Sequence, residues 1–357
     1  MRIRCVLRPP DGISLEERYT IVQQWQIPAF GIDNLVLTEQ ESSEPRLGHV
    51  LVRIHAISLN YRDLMVVQGR YNPRMKLPRV PCSDGAGEVV AIGPGVTEWK
   101  PGDRVAGTFF QNWIEGSPSA EKQKGALGGD IDGMLATEIV LAGRGLVRIP
   151  EHLSYAEGAT LPCAAVTAWN ALFTVAMTQP GDTVLIQGTG GVSIFALQFA
   201  KMAGARVIGI SSSNEKLERA RTLGLDAGLN YRENSDWEKW ANEQTGGEGV
   251  DLTVEVGGAG TLARAIRATR VGGTIAQIGV LSGPNEGVDI RPVLSKQIKV
   301  HGVYVGSRLD FMSMNKAISQ ASLKPVIDST FPFPEAPAAL RHMESAGHFG
   351  KIVVSAE

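Results

Sequence analysis

Two rhythms of hydrophobic and polar positions divide the 357-residue chain. From Gln23 to about Pro150, short β-rich runs ("HVLVRIHAISL", "GAGEVVAIG", "DRVAGTFF", "TEIVLA") are broken by glycine, proline and turn residues, which predicts an irregular, mostly antiparallel β domain. "EWKPGDRVAG" sets Pro101, Gly102 and Asp103 between apolar segments, a turn signal. "EGSPSAEKQKGALGGDIDG" is polar and glycine-rich and reads as a long surface loop or lid rather than core. Near Ser154 the rhythm changes. "DTVLIQG", "ARVIGIS", "DLTVEVG", "GTIAQIG" and "IKVHGVYVG" are continuous apolar runs, and the segments between them, such as "SIFALQFAKMAG" and "NEKLERARTLG", have helical spacing. Strands without polar alternation, separated by helices, imply a parallel sheet covered on both faces, an α/β domain. The final "APAALRHMESAGHFGKIVVSAE" reads as a helix, a glycine turn and a strand that either extends that sheet or returns to the first domain. Residues 1–22 read as a leader ahead of the fold.

Composition narrows the class. A chain of this length exceeds what one hydrophobic core serves, so two domains are expected. With 35 basic against 37 acidic residues and a net charge of -2, neither nucleic acid nor an anionic membrane is an expected partner, which leaves a small molecule. No run approaches the ~20 apolar residues of a membrane span. The cysteines Cys5, Cys82 and Cys163 form no Cys-x-x-Cys, which fits a reducing, cytoplasmic address and argues against a disulfide framework or a cysteine-rich zinc lobe.

The strongest chemical signal is "DTVLIQGTGGVSIFALQFAK". Gly188, Gly190 and Ser193 stand where a dinucleotide fold has Gly-x-Gly-x-x-Gly/Ala, after a strand and opening a helix, with Gly191 and Val192 between them. Glycines permit a tight turn and close backbone approach, and the helix N-terminus offers free N–H groups to a pyrophosphate. The next strand ends in Ser211, Ser212 and Ser213 with Lys216 beyond, where an NAD site would carry a carboxylate. Hydroxyls and an ammonium suit a 2′-phosphate, so NADP(H) is expected over NAD(H). The alternative is a serine-rich helix cap with Lys216 solvated.

With its β-rich first part, "GDRVAG" and "GTGGVS", the chain resembles the medium-chain dehydrogenase/reductase superfamily from Gln23 onward. The resemblance implies a GroES-like catalytic domain over 23–162, an inserted Rossmann NADP-binding domain with a doubly wound parallel sheet over 163–308, and a return to the catalytic domain over 309–357. It also implies that Lys216, with Tyr231 of "LNYRE", holds the 2′-phosphate, and that Thr167, Ile278, Gly279 and Val280 line the nicotinamide. The zinc-dependent branch carries a cysteine in Cys-x-x-Asp, a Gly-His-Glu and a further cysteine. Here "SLNYRDL" has Asn60 and Asp63, "CSDGAGEV" has Ser83 and Asp84, and only Cys163 is kept. The structural zinc lobe is replaced by the loop from Phe109 to Gly133, and none of the 6 histidines falls in these segments. No metal is therefore expected.

The resemblance places "LNYRDL" at the nicotinamide end of the cleft, making Asn60, Tyr61 and Arg62 the catalytic candidates; a surface or interdomain role for Tyr61 and Arg62 stays open. Asp63 reads as a buried carboxylate that caps backbone N–H groups or pairs with an arginine. The expected function is NADPH-dependent, zinc-free hydride transfer to an activated C=C bond or quinone. The alternatives are an alcohol dehydrogenase or carbonyl reductase of the same superfamily, and a non-enzymatic NADPH-binding protein. "IKVHGVYVG", as the last strand of the sheet, is an apolar edge expected to pair across a homodimer.

Overall fold

The computed structural model describes residues 21–281 and 287–356. Of the segment read as a leader, residues 1–20 lie outside the described residues. Ile21 and Val22 already belong to a strand, Ile21–Gln26, which pairs antiparallel with Val36–Glu41.

The described residues form two larger sheets. The first, seven-stranded, is organised around His49–Ser58, which pairs with Asp84–Ile92, Glu138–Ala142 and Lys351–Ser355. Val50, Val52 and Ile54 alternate inward along its first half, and from Ala56 the strand is buried on both faces because the C-terminal strand joins it there. "KIVVS" thus returns to the first domain: Val353 pairs with Ser58, and the strand runs parallel to Ile327–Pro332 on its other side.

The second sheet is parallel and six-stranded. Its spatial order is Ala227–Asn230, Arg206–Ser211, Thr183–Gln187, Val250–Glu255, Thr269–Gln277, Lys299–Gly302. Helices such as Gly191–Met202, Asn214–Thr222 and Ala259–Ala268 connect the strands. Chain order reverses between Thr183–Gln187 and Val250–Glu255, and the crevice at the carboxyl ends of such a pair is where α/β sheets bind ligands. Among the described residues no helix is long and apolar enough to cross a membrane.

The loop expected to lie wholly outside the core does so only in part. Ala126 and Leu127 are buried, and the chain then wraps the segment that precedes Ser83: Gly133 N–H donates to Val80 O at 2.8 Å and Met134 N–H to Cys82 O at 2.8 Å. Cys82 has a φ of 70°, rare outside glycine, and these contacts hold it there.

Both strands at the switch end in polar residues that are buried. Gln187 Nε2 donates to Glu255 Oε2 at 2.5 Å, while Glu255 Oε1 accepts from Gly257 N–H, Gly258 N–H and the Thr261 hydroxyl at 2.8, 2.9 and 2.5 Å. The carboxylate thereby shapes the loop that ends one wall of the crevice. Glu255→Ala should cost roughly 3–5 kcal/mol, since it strands several buried donors, whereas Glu255→Gln should cost less. Chemical denaturation midpoints of the two variants check this, and equal losses would contradict it.

Candidate active site

The dinucleotide turn has the shape its sequence predicts. Gly188 takes a φ of 69°, Gly190 is extended, and no side chain caps the helix Gly191–Met202. A Cβ at Gly188 or Gly190 would meet nothing within 4 Å, so both backbones face open space. Ser193 Oγ donates to Gln187 O at 2.6 Å, pinning the helix to the strand before it. Open space, a tight turn and uncapped N–H groups fit a pyrophosphate. The C-terminal return closes on this turn: Gly350 N–H donates to Thr189 O at 2.9 Å, and the Lys351 stem lies over Gly191.

At the ends of the neighbouring strands, Tyr231 N–H donates to Ser211 O at 3.0 Å, bringing the two together. Ser211 Oγ accepts from Ser213 N–H, and Ser213 Oγ caps the next helix by accepting from Lys216 N–H at 3.3 Å. The serines therefore do act as a cap, and Lys216 reaches Ala346 O at 2.9 Å rather than standing free. Thr167 Oγ1 is bonded to Cys163 O at 2.7 Å. Ile278 and Gly279 donate their N–H groups to Glu255 O, and Val280 is exposed at the mouth of the crevice.

The segments compared with zinc ligands do meet. Helix Tyr61–Val67 begins with a capping box in which Asp63 Oδ2 accepts from Asn60 N–H at 2.9 Å. The other Asp63 oxygen accepts from Ser83 N–H at 3.2 Å and from Arg62 Nη1 at 3.4 Å. Asn60 Nδ2 faces Ser83 Oγ at 3.4 Å, Ser83 Oγ donates to Asp84 Oδ1 at 2.7 Å, and Asp84 Oδ2 accepts from Cys163 N–H at 3.0 Å. Lys351, 3% exposed, closes the chain by donating to Asn60 Oδ1 and Leu59 O, both at 2.6 Å.

This donor set does not fit zinc. The Asn60 amide oxygen is engaged by an ammonium, the Asp84 carboxylate is engaged by Ser83 and a backbone N–H, and burial pushes the Cys163 thiol up, away from thiolate. A buried cation already stands beside the group, and a divalent ion would be repelled by it. Among the described residues no cluster of three or more His, Cys, Asp or Glu could hold a metal.

Tyr61 and Arg62 part company. Tyr61 is exposed. Arg62 turns inward, donating through Nη1 to Leu127 O at 2.7 Å and lying between the rings of Phe109 and Tyr71 at 4.9 and 5.2 Å. Tyr71 meets Tyr304 of the second domain hydroxyl to hydroxyl. Burial, then Tyr71, raises the Tyr304 phenol, which stays protonated at neutral pH. Lys351, Tyr71 and Tyr304 were not anticipated. A lone lysine in the apolar "KIVV" was the one available signal.

Family models match residues 46–151 as an alcohol dehydrogenase GroES-like domain and 191–320 as a zinc-binding dehydrogenase. A zinc-type alcohol dehydrogenase-like protein of Schizosaccharomyces pombe is 42% identical over 331 residues, covering 91% of this chain and 96% of its own. The chain belongs to the medium-chain dehydrogenase/reductase superfamily. It is an NAD(P)-dependent oxidoreductase, which sets aside the non-enzymatic alternative. Among solved members, an NAD-dependent alcohol dehydrogenase superposes with a TM-score of 0.86 at 32% identity, over 94% of this chain and 100% of that one. A 2-octenoyl-CoA carboxylase reductase, in complex with NADP and 2-octenoyl-CoA, superposes with a TM-score of 0.83 at 26% identity, over 94% and 87%. The model matched over 191–320 is described as zinc-binding, whereas Asn60, Ser83, Asp84 and Cys163 are joined here in a hydrogen-bond chain.

Burial, reinforced by Asp63 and opposed by Lys351, pushes the Asp84 carboxyl from its ordinary 3.8 up to about 6. Between those values the native state keeps a proton that the unfolded chain has released. The contribution of Asp84 to stability therefore falls as pH rises from about 4 to about 6 and is level outside that window. Thermal midpoints of wild type minus those of Asp84→Asn should decline across this range. A difference that is flat or rising there would refute the assignment.

Proposed function

We propose that this chain is an NADPH-dependent reductase that works without zinc and delivers hydride to an activated C=C bond or a quinone. The observation that carries the reading is the pairing of an open dinucleotide turn with the Lys351–Asn60–Ser83–Asp84 chain in place of metal ligands. A nicotinamide cofactor held by the Gly188–Gly191 turn would supply the hydride. Reducing an isolated aldehyde or ketone concentrates charge on one oxygen, which favours a Lewis acid. In a conjugated acceptor, hydride adds to the β-carbon, the π-electrons move to the carbonyl oxygen as an enolate, and a proton completes the α-carbon. Hydrogen-bond donors then suffice, one well-placed donor being worth roughly 3 kcal/mol. The Tyr71–Tyr304 hydroxyl pair, in which one O–H is spent on the other and one is left over, offers such a donor in this chain.

The absence of a carboxylate at the end of strand Arg206–Ser211, with Lys216 and Tyr231 close by, supports NADPH. The relative complexed with NADP and an enoyl thioester supports both parts of the reading. The NAD-dependent alcohol dehydrogenase at 32% identity supports the second reading, a carbonyl-reducing enzyme. Cys82 and Cys163, both free thiols, are compatible with a reducing, cytoplasmic setting.

Cofactor oxidation measured with NADPH and NADH against quinones, enones, simple aldehydes and ketones decides between these, alongside metal analysis and chelation. The expected result is NADPH preference, turnover of quinones or enones, negligible zinc and no loss on chelation. Turnover confined to simple carbonyls, or abolished by chelation, would refute the proposal.

A homodimer through the edge strand Lys299–Gly302 belongs to the same proposal. Val300 there is 44% exposed, and Leu294 and Ile290 nearby are 82% and 73% exposed, an apolar margin that a second copy would cover. Light scattering should give twice the 38.2 kDa chain mass, and Val300→Lys should shift it toward one. A wild-type monomer would exclude the dimer.

A further inference from the structure

Arg62 is engaged on one side only. Nη1 takes Leu127 O and Asp63 Oδ1, whereas Nε is buried without a hydrogen-bond partner and Nη2 makes no hydrogen bond among the described residues. The Nε–Nη2 edge is the side of a guanidinium on which two N–H groups lie parallel, the geometry that matches a carboxylate. Leaving such donors unpaired in a buried place is costly unless a ligand completes them. The side chain is 10% exposed, and its charge is secure: burial works against it, but Asp63 and the neighbouring tyrosines outweigh burial and raise its pKa.

Arg62 lines a cavity of about 140 Å³, the room of roughly four or five water molecules. Its walls include Tyr71, Asn72, Phe110 and Gln123 of the first domain and Tyr304 of the second. Asp130, the carboxylate on this wall, is held by Gly125 N–H and Ala126 N–H at 3.0 and 3.2 Å. Gly129 is also needed here: a Cβ on it would fall 2.3 Å from Arg62 Nη2. A small polar chamber with a half-used cation is a poor place for a purely apolar acceptor.

We propose that the chamber formed by Arg62, Tyr71 and Tyr304 binds a carboxylate carried by the acceptor, so that the substrate class is a conjugated carbonyl compound bearing an acid group. This rests on the reductase reading above. Nε and Nη2 of Arg62 grip the two carboxylate oxygens, and the Tyr71–Tyr304 pair offers the one O–H that it does not spend internally. The same charge that secures the substrate selects against neutral acceptors of equal size.

The test compares (E)-4-oxopent-2-enoate with its methyl ester as acceptors for NADPH. In each, hydride and a proton add across the C=C bond to give the saturated keto product and NADP⁺. The ester is the stronger electrophile, so chemistry alone favours it. The wild-type enzyme should prefer the acid in kcat/KM by at least about tenfold, the scale of a charge-assisted bidentate contact. That acid-to-ester ratio should collapse in Arg62→Gln and fall partway in Arg62→Lys, chiefly through KM for the acid, with NADPH fluorescence titration confirming that each variant is folded. No acid preference in the wild type, or a preference that survives Arg62→Gln, overturns the proposal. If neither compound oxidises NADPH, the quinone and enone panel above decides the reductase reading, and calorimetry of 4-oxopentanoate with NADP⁺-loaded protein decides the subsite separately. Binding that is lost in Arg62→Gln upholds it, and no wild-type binding rejects it.

Discussion

The Lys351 ammonium is the interaction on which the rest of this structure leans. It is a charge taken out of water, which is tolerable only because Asn60 Oδ1 and Leu59 O accept from it at 2.6 Å and two carboxylates, Asp63 and Asp84, lie within its field. Those partners come from two pieces of chain, and Lys351 itself from a third. Leu59 and Asn60 end the central strand and start a helix, Asp84 opens the next strand, and Lys351 opens the C-terminal one. Satisfying one ammonium therefore fixes the docking of the C-terminal return, the entry of helix Tyr61–Val67 and the position of Ser83.

The same constraint reaches the cofactor turn. Gly350 is tied to Thr189, and the Lys351 stem covers Gly191, so the strand that carries the ammonium also forms one side of the dinucleotide crevice. A substitution at Lys351 would thus be felt in both domains. The segment where the chain leaves the parallel sheet is tied to the first domain as well, since Arg308 and Leu309 donate their N–H groups to Trp113 O and Ile114 O, and Asn315 Nδ2 donates to Arg148 O at 2.8 Å. The cleft that holds Arg62, Tyr71 and Tyr304 is framed by these ties.

Much of this was legible in the sequence, for physical reasons that differ by element. Parallel strands buried on both faces must be apolar throughout, so Thr183–Gln187 and Val250–Glu255 announce themselves. The edge strand Ala227–Asn230 is half-buried and reads "AGLN", with no apolar run to betray it. The loop containing Ala126 and Leu127 reads as surface because its composition is polar, although two apolar residues suffice to anchor it under Cys82. Asn60, Ser83, Asp84 and Cys163 were brought together by resemblance and do meet, and Asp63 does cap backbone N–H groups and pair with an arginine. Lys351 stayed hidden because its partner Asn60 lies 291 positions away, and no local pattern encodes that meeting.

An ammonium in place of a metal is the premise of the proposed zinc-free reading, and it constrains the chemistry that reading allows. A zinc ion with an open coordination position can bind a substrate oxygen directly and take up its developing charge. Lys351 cannot do so, because it is buried and already committed to Asn60 and Leu59; its charge steadies the scaffold and acts on any substrate only from a distance. Direct stabilisation of a reacting oxygen must then come from groups with unspent donors. Within this cleft the Tyr71–Tyr304 pair has one such donor, because one hydroxyl donates to the other and the second O–H is left over. Donors of that kind stabilise charge that is already spread over a conjugated system more readily than charge confined to one alkoxide, so under the proposed zinc-free reading the retained donor favours a conjugated acceptor.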